Sequence, residues 1–109
     1  MKKQGKKFDT NKPPIHLLTK EAVFAIAEAL NYGAKKYGKY NFQDGIEYTR
    51  LIDAALRHLF QFVGGEDNDR ESGLSHIAHA GANIVMLLWM IANRNDLDDR
   101  PRKNKKYDM

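Results

Sequence analysis

His76, His79 and Asn83 fall at i, i+3 and i+7, so a helix running through them carries two imidazoles and a carboxamide on one face. The stretch around them, from His76 to Asn93, is otherwise almost wholly apolar. Polar groups buried there without hydrogen bonds would cost about 1 to 3 kcal/mol apiece, so protein groups, a metal or a ligand must satisfy them. The residues just upstream offer the complement: Glu66, Asp67, Asp69 and Glu71 put four carboxylates into six positions. Carboxylates this crowded repel one another unless water or a cation neutralises them. A hard divalent ion such as Mg2+ or Mn2+ takes oxygen ligands at about 2.0 to 2.2 Å, and an imidazole beside it serves as a further ligand or as a general base. A structural hydrogen-bond network for the histidines, and a merely solvated acidic loop, are the competing explanations.

Arg50, Arg57 and Gln61 align at i, i+7 and i+11 beside Asp53 and His58. An Asp53–Arg57 pair on a solvent face accounts for them. So does a polyphosphate substrate, because a guanidinium matches phosphate oxygens bidentately. Further upstream, the segment from Tyr32 to Phe42 interleaves Gly33 and Gly38 with Lys35, Lys36 and Lys39 and with the rings of Tyr37, Tyr40 and Phe42. Such a segment either stacks a base and neutralises phosphates or is a helix end followed by a packed aromatic turn. It is not a P-loop: the full Gly-x-x-x-x-Gly-Lys-Ser/Thr order is missing, with Tyr40 after Lys39.

Three helices must position these residues. Pro13-Pro14 bars helix before it. Thr19 as N-cap, Glu21 in the first turn and Val23, Ile26, Ala27 and Leu30 at helical spacing predict a first helix over about 19 to 37. Leu51, Ile52, Ala55, Leu59, Phe62 and Val63 predict a second over about 47 to 63, with Asp44 and Glu47 spaced as a capping box and Gly64-Gly65 as the stop. The third runs from His76 to Asn93, with Ala80, Gly81 and Ala82 small enough for close helix contact. No segment alternates with period two for long enough to form a strand, so the fold class is all-α, a small helical bundle. Met86, Trp89 and Met90 lie off the main stripe of the third helix, more apolar surface than one short chain hides, so oligomerisation is expected to complete the bundle. The alternative is that Phe8, Ile15, Leu17 and Leu18 fold back over it.

The chain has 109 residues, room for one core, and the boundaries expected are a basic arm over 1 to 12, one all-α catalytic domain over 13 to 93 and a charged tail over 94 to 109. The net charge of +4 divides into +4 on the arm, −2 on the domain and +2 on the tail. A slightly acidic body is not the footprint of a duplex-binding face, so nucleic acid is an unlikely partner. Zero cysteines exclude disulfides, thiolate nucleophiles and Cys zinc sites, leaving oxygen and nitrogen ligands for any metal. No apolar run reaches the roughly 20 residues of a membrane span, and no signal-type apolar region follows the basic N-terminus, so a cytoplasmic protein is expected.

Taken together, Lys7-Phe8-Asp9 with Lys12-Pro13, the run Tyr32-Gly33-Ala34-Lys35-Lys36-Tyr37-Gly38, then Leu56-Arg57-His58-Leu59, and the long stretch from Gly65-Glu66-Asp67 through Glu71-Ser72-Gly73, His76, Ala78-His79 and Asn83 resemble the phage-type dATP/dGTP diphosphohydrolases, relatives of the all-α, MazG-like nucleoside triphosphate pyrophosphohydrolases. The resemblance spans about residues 6 to 92. It implies cleavage of dATP or dGTP between the α and β phosphates, giving the monophosphate and pyrophosphate. One departure stands out: the Glu-x-x-Glu and Glu-x-x-Asp pairs of typical MazG-like helices are missing from the second and third helices here, and Glu66-x-x-Asp69 falls in the loop. The ligands expected for Mg2+ or Mn2+ are therefore drawn from Glu66, Asp69, Glu71, His76 and His79. His58 or Glu71 would take the proton from the attacking water and Asn83 would orient a histidine or water. Lys12, Lys35, Arg50 and Arg57 would balance the triphosphate, and Asn41 with Phe42 would read the base. A helical nucleotide- or nucleic-acid-binding phage protein without activity is the other reading, and it would bind DNA in a salt-sensitive way through its basic ends.

Overall fold

The computed structural model describes residues 2 to 102. Helix α1 spans Lys20–Tyr37, α2 Tyr48–Val63 and α3 His76–Asn93, with 3-10 turns at Ile15–Leu17, Asn41–Asp44 and Asn95–Leu97. Among the described residues there is no strand, only an isolated antiparallel bridge between Asn68 and Ser75 inside the loop that precedes α3. The fold is all-α, as expected.

The starts of α1 and α3 and the end of α1 have local causes, and the start of α2 does not. Thr19 caps α1, its hydroxyl accepting from Ala22 N at 3.2 Å, and Lys35 and Lys36 sit at the negative end of the dipole. Gly38 ends α1 at φ 97°, a backbone angle that side-chain-bearing residues avoid. Ser75 caps α3, its hydroxyl accepting from Ile77 N at 3.0 Å. The start of α2 is not the expected capping box: Glu47 makes no side-chain cap bond, and Asp44 closes the preceding 3-10 turn. Asp99 does the capping from far down the chain, accepting from Thr49 N at 2.9 Å and from the Thr49 hydroxyl.

Helix α3 is the centre, with α2 and α1 packed on it. Ala29 of α1 meets Ala78 and Ala82, and a Cβ on Gly81 would come within 2.9 Å of Ile26 Cγ1, so only small residues allow this approach. At the other end of α3, Tyr48 and Leu51 close on fully buried Met90, with Phe42, Trp89 and Leu97 around them. The first residues of the expected tail belong to this packing: Arg100 lies over the Tyr48 ring at 5.6 Å, and Arg94 and Arg100 pair with Asp96 and Asp98. Residues 103 to 109 of that tail lie outside the described residues.

The leading segment does not fold back, as Phe8 is 87% exposed and Ile15, Leu17 and Leu18 are exposed with it. Leu56, Leu59, Phe60 and Val63 of α2, and Ile77, Ile84, Leu88 and Ile91 of α3, are exposed as well. By length and composition alone α3 is long and apolar enough to cross a membrane, yet it is the helix on which both others pack and it begins with buried His76.

Met90→Ala empties one of the two fully buried large side-chain positions among the described residues and is expected to cost about 2 to 5 kcal/mol in urea unfolding. A loss below about 1 kcal/mol would mean that the Tyr48–Leu51–Met90 cluster is not the core that holds α2 to α3.

Candidate functional site

His76 is the residue around which the site is built, since its side chain is 0% exposed and both of its nitrogens are engaged. Nε2 lies 2.7 Å from Glu66 Oε1. A carboxylate only accepts, so Nε2 carries the proton and Nδ1 is the nitrogen left over. That Nδ1 lies 2.9 Å from Nδ1 of His58, which α2 presents from the opposite side. His58 in turn stacks on His79, ring centroids 4.7 Å apart and planes at 14°. The i, i+3 spacing on α3 thus delivers both imidazoles to one ring of α2.

The acidic segment is a tied loop. Asp69 N bonds Leu74 O at 2.8 Å, and His76 N bonds Asp67 O at 3.0 Å. Gly65 and Gly73, at φ 106° and 75°, make the bends this path requires. Asp69 Oδ2 accepts from Glu71 N at 3.1 Å and from Ser72 N at 2.9 Å. Ser72 Oγ meets His79 Nε2 at 2.6 Å. Glu66 also pairs with Arg70 at 2.9 Å, and an open depression of about 430 Å3 lined by Gln61, Gly64, Glu66, Asp69 and Arg70 lies alongside.

The electrostatics follow from these contacts. Burial lowers the His58 pKa, helped by the neighbouring His79 and His76, and burial likewise lowers that of His79. Both rings are thereby favoured in the neutral form that binds metals and accepts protons. Burial pushes the Asp69 carboxyl up, but the bonds from Ser72 outweigh it and the net shift is downward. The bond to His76 lowers Glu66, and the bonds from Tyr32 and Lys36 lower Glu71.

Of the residues singled out from sequence, His58, Glu66, Asp69, His76 and His79 come together, and one donor atom each from His58, Asp69 and His76 lie within 4.8 Å of one another. Glu71 is adjacent but engaged by Tyr32 and Lys36 of α1. Asn83 donates to the main-chain carbonyl of His79 at 2.9 Å. Arg57 is exposed beside His58, whereas Arg50 sits two turns earlier on α2, about 12 Å away along the axis. Lys35 and Lys12 are exposed on α1 and the leading segment. Asn41 begins the turn whose Phe42 packs edge-on against Trp89, centroids 5.5 Å apart, which places it about 20 Å along α3 from His76. Tyr32, Lys36 and Ser72 went unassigned from sequence. The i, i+4 spacing of Tyr32 and Lys36 was the signal available, but nothing local shows that α1 meets the loop.

Folded-state pKa values below the unfolded value mean that His58 and His79 add stability above about pH 6.5 that is lost as pH falls. With chelator present, the Tm should therefore drop between about pH 7.5 and about pH 5.5, where carboxylates scarcely titrate. His58→Gln should drop less over that interval, and equal drops would contradict this electrostatic account.

Comparison with known proteins identifies the family of the chain. The sequence pattern of the family described as "dATP/dGTP diphosphohydrolase, N-terminal" matches residues 2–100. The chain is 38% identical over 96 residues to a dATP/dGTP diphosphohydrolase of Salmonella phage PMBT28, covering 88% of this chain and 33% of that protein. It therefore spans about a third of that relative's length. No solved structure matches it. A match running almost from end to end makes the chain a member of the dATP/dGTP diphosphohydrolase N-terminal family.

Proposed function

We propose that the chain hydrolyses dATP or dGTP between the α and β phosphates, releasing the monophosphate and pyrophosphate. The observation that carries the reading is buried His76, backed by Glu66 and aimed with His58 at the space beside Asp69. A ligand histidine typically gives its second N–H to a carboxylate in this manner. The donor set suits a divalent cation, and two imidazoles with one carboxylate favour Mn2+ over Mg2+, which prefers oxygen. Bound by His58, Asp69 and His76, such a cation would polarise the α-phosphate and lower the pKa of the attacking water.

The chain's own groups do the rest. With Nε2–H donating to Ser72 Oγ, His79 keeps a lone pair on Nδ1 and receives the water's proton there. The water oxygen bonds to the α phosphorus, the bridging bond to the β phosphate breaks, and pyrophosphate leaves with that electron pair. Glu66 holds the tautomer of His76, and Ser72 holds the His79 ring by its Nε2. Arg57 and Lys35 are exposed cations that can meet the phosphate chain, and the lysines of the leading segment, Lys12 among them, are exposed as well. A second copy covers the apolar stripe Ile77, Ile84, Leu88 and Ile91, which repeats at i, i+7, i+11 and i+14 on α3. Such an enzyme of a phage would act in the host cytoplasm, on the nucleotide pool.

Purified chain with dATP or dGTP and Mn2+ should release pyrophosphate, with Mg2+ less effective. His76→Gln should lower kcat at least about 100-fold. Release of inorganic phosphate or triphosphate would place the cleavage elsewhere, and no turnover on any nucleotide would remove the hydrolase reading. Leu88→Glu should reduce the mass in solution to that of one chain, and an unchanged mass would contradict the proposed interface.

A further inference from the structure

We propose that Tyr32 and Lys36 of α1 are positioning residues for His79, and that they act through Glu71, which is an anchor and not a metal ligand or a base. This rests on the reading of His79 as proton acceptor. Tyr32 Oη donates to Glu71 Oε2, and Lys36 Nζ reaches that oxygen at 3.1 Å and Oε1 at 3.4 Å. Tyr32 and Lys36 lie one turn apart on the same face of α1, so a single carboxylate meets both donors. Oε2 would have to give up a partner to bind a cation or take a proton, and Oε1 is held towards α1 by the same lysine.

From Glu71 the constraint passes along the chain to the next residue. The N–H groups of Glu71 and Ser72 both bond Asp69 Oδ2, so the turn moves as a unit. Ser72 Oγ then fixes His79 Nε2. The Tyr32 ring also meets His79 directly, edge to face at 5.9 Å and 82°. Helix α1 thus touches His79 twice, once through a ring edge and once through Glu71 and Ser72. The loop's own backbone bonds, Asp69 N to Leu74 O and His76 N to Asp67 O, do not involve α1. Loss of the clamp should therefore shift His79 without unfolding the loop, which separates positioning from scaffolding.

Steady-state kinetics with dATP and Mn2+ tests this. Tyr32→Phe and Glu71→Ala should each lower kcat about 10-fold and leave KM within about twofold, because misplacing a reacting group costs rate more than binding. The double variant should be no slower than the slower single variant, since the two side chains act as one unit. Glu71→Gln keeps an acceptor oxygen for Tyr32 and should recover most of what Glu71→Ala loses. Equal losses in the Gln and Ala variants, or losses that multiply in the double variant, would overturn the inference. The imidazole 15N spectrum reads the same contact without turnover. Tyr32→Phe and Glu71→Ala should move the His79 Nε2 resonance and leave that of His76 in place, and a stationary His79 resonance would also overturn it. An inactive wild-type chain whose His79 resonance moves in the variants would remove the hydrolase reading and leave the clamp standing.

Discussion

A fully buried imidazole that needs a partner on each nitrogen is the constraint from which the site follows. His76 opens α3, where its N–H bonds Asp67 O and its ring reaches Glu66 on one side and His58 on the other. Loop, α2 and α3 are thereby fixed at one level, and no buried side-chain nitrogen or oxygen among the described residues is left unpaired. Removing the ring would strand a carboxylate and a second imidazole facing a void. Such a network is costly if half satisfied and rigid if complete, which is what the proposed cation site requires.

Helix α2 is held at both ends by groups far from it in sequence. Asp99 caps its start, and His58 binds His76 near its close. At the start of α2, Tyr48 and Leu51 pack on Met90, so the polar end of the α2–α3 pair is braced by an apolar end. Helix α1 approaches on the small residues Ala78, Gly81 and Ala82, and its C-terminal half brings Tyr32 and Lys36 to Glu71. Ile77, Ile84, Leu88 and Ile91 of α3 stay exposed in the single chain. In the phage relative, which is about three times as long, further residues accompany the matching part.

The helices were legible because their signals are local. Thr19 as cap, the two-glycine stop after Val63 and the apolar spacing of α3 place the elements within a residue of where they lie. The convergence of His76 and His79 was legible for the same reason, since helical periodicity alone puts them on one face. What depended on distant partners was not. The start of α2 is capped by Asp99, not by the locally spaced Asp44 and Glu47, because a capping box needs the loop geometry as well as the residues. His58 or Glu71 was expected as the base, and local spacing could not show that the approach of α2 to α3 sets His58 Nδ1 2.9 Å from that of His76. Asn41 had the right chemistry for a base, yet Phe42 beside it turns inward onto Trp89 at the far end of α3. Glu71 read as one more carboxylate of a cluster until the placement of α1 engaged it.

The central claim, that His58, Asp69 and His76 hold one divalent cation with Glu66 behind them, is tested most directly by titrating Mn2+ into the chain without nucleotide and following the free-ion signal by electron paramagnetic resonance. One tightly bound Mn2+ per chain is expected in the wild type, and its loss in His76→Gln. Uptake of Mn2+ by His76→Gln equal to that of the wild type would contradict it.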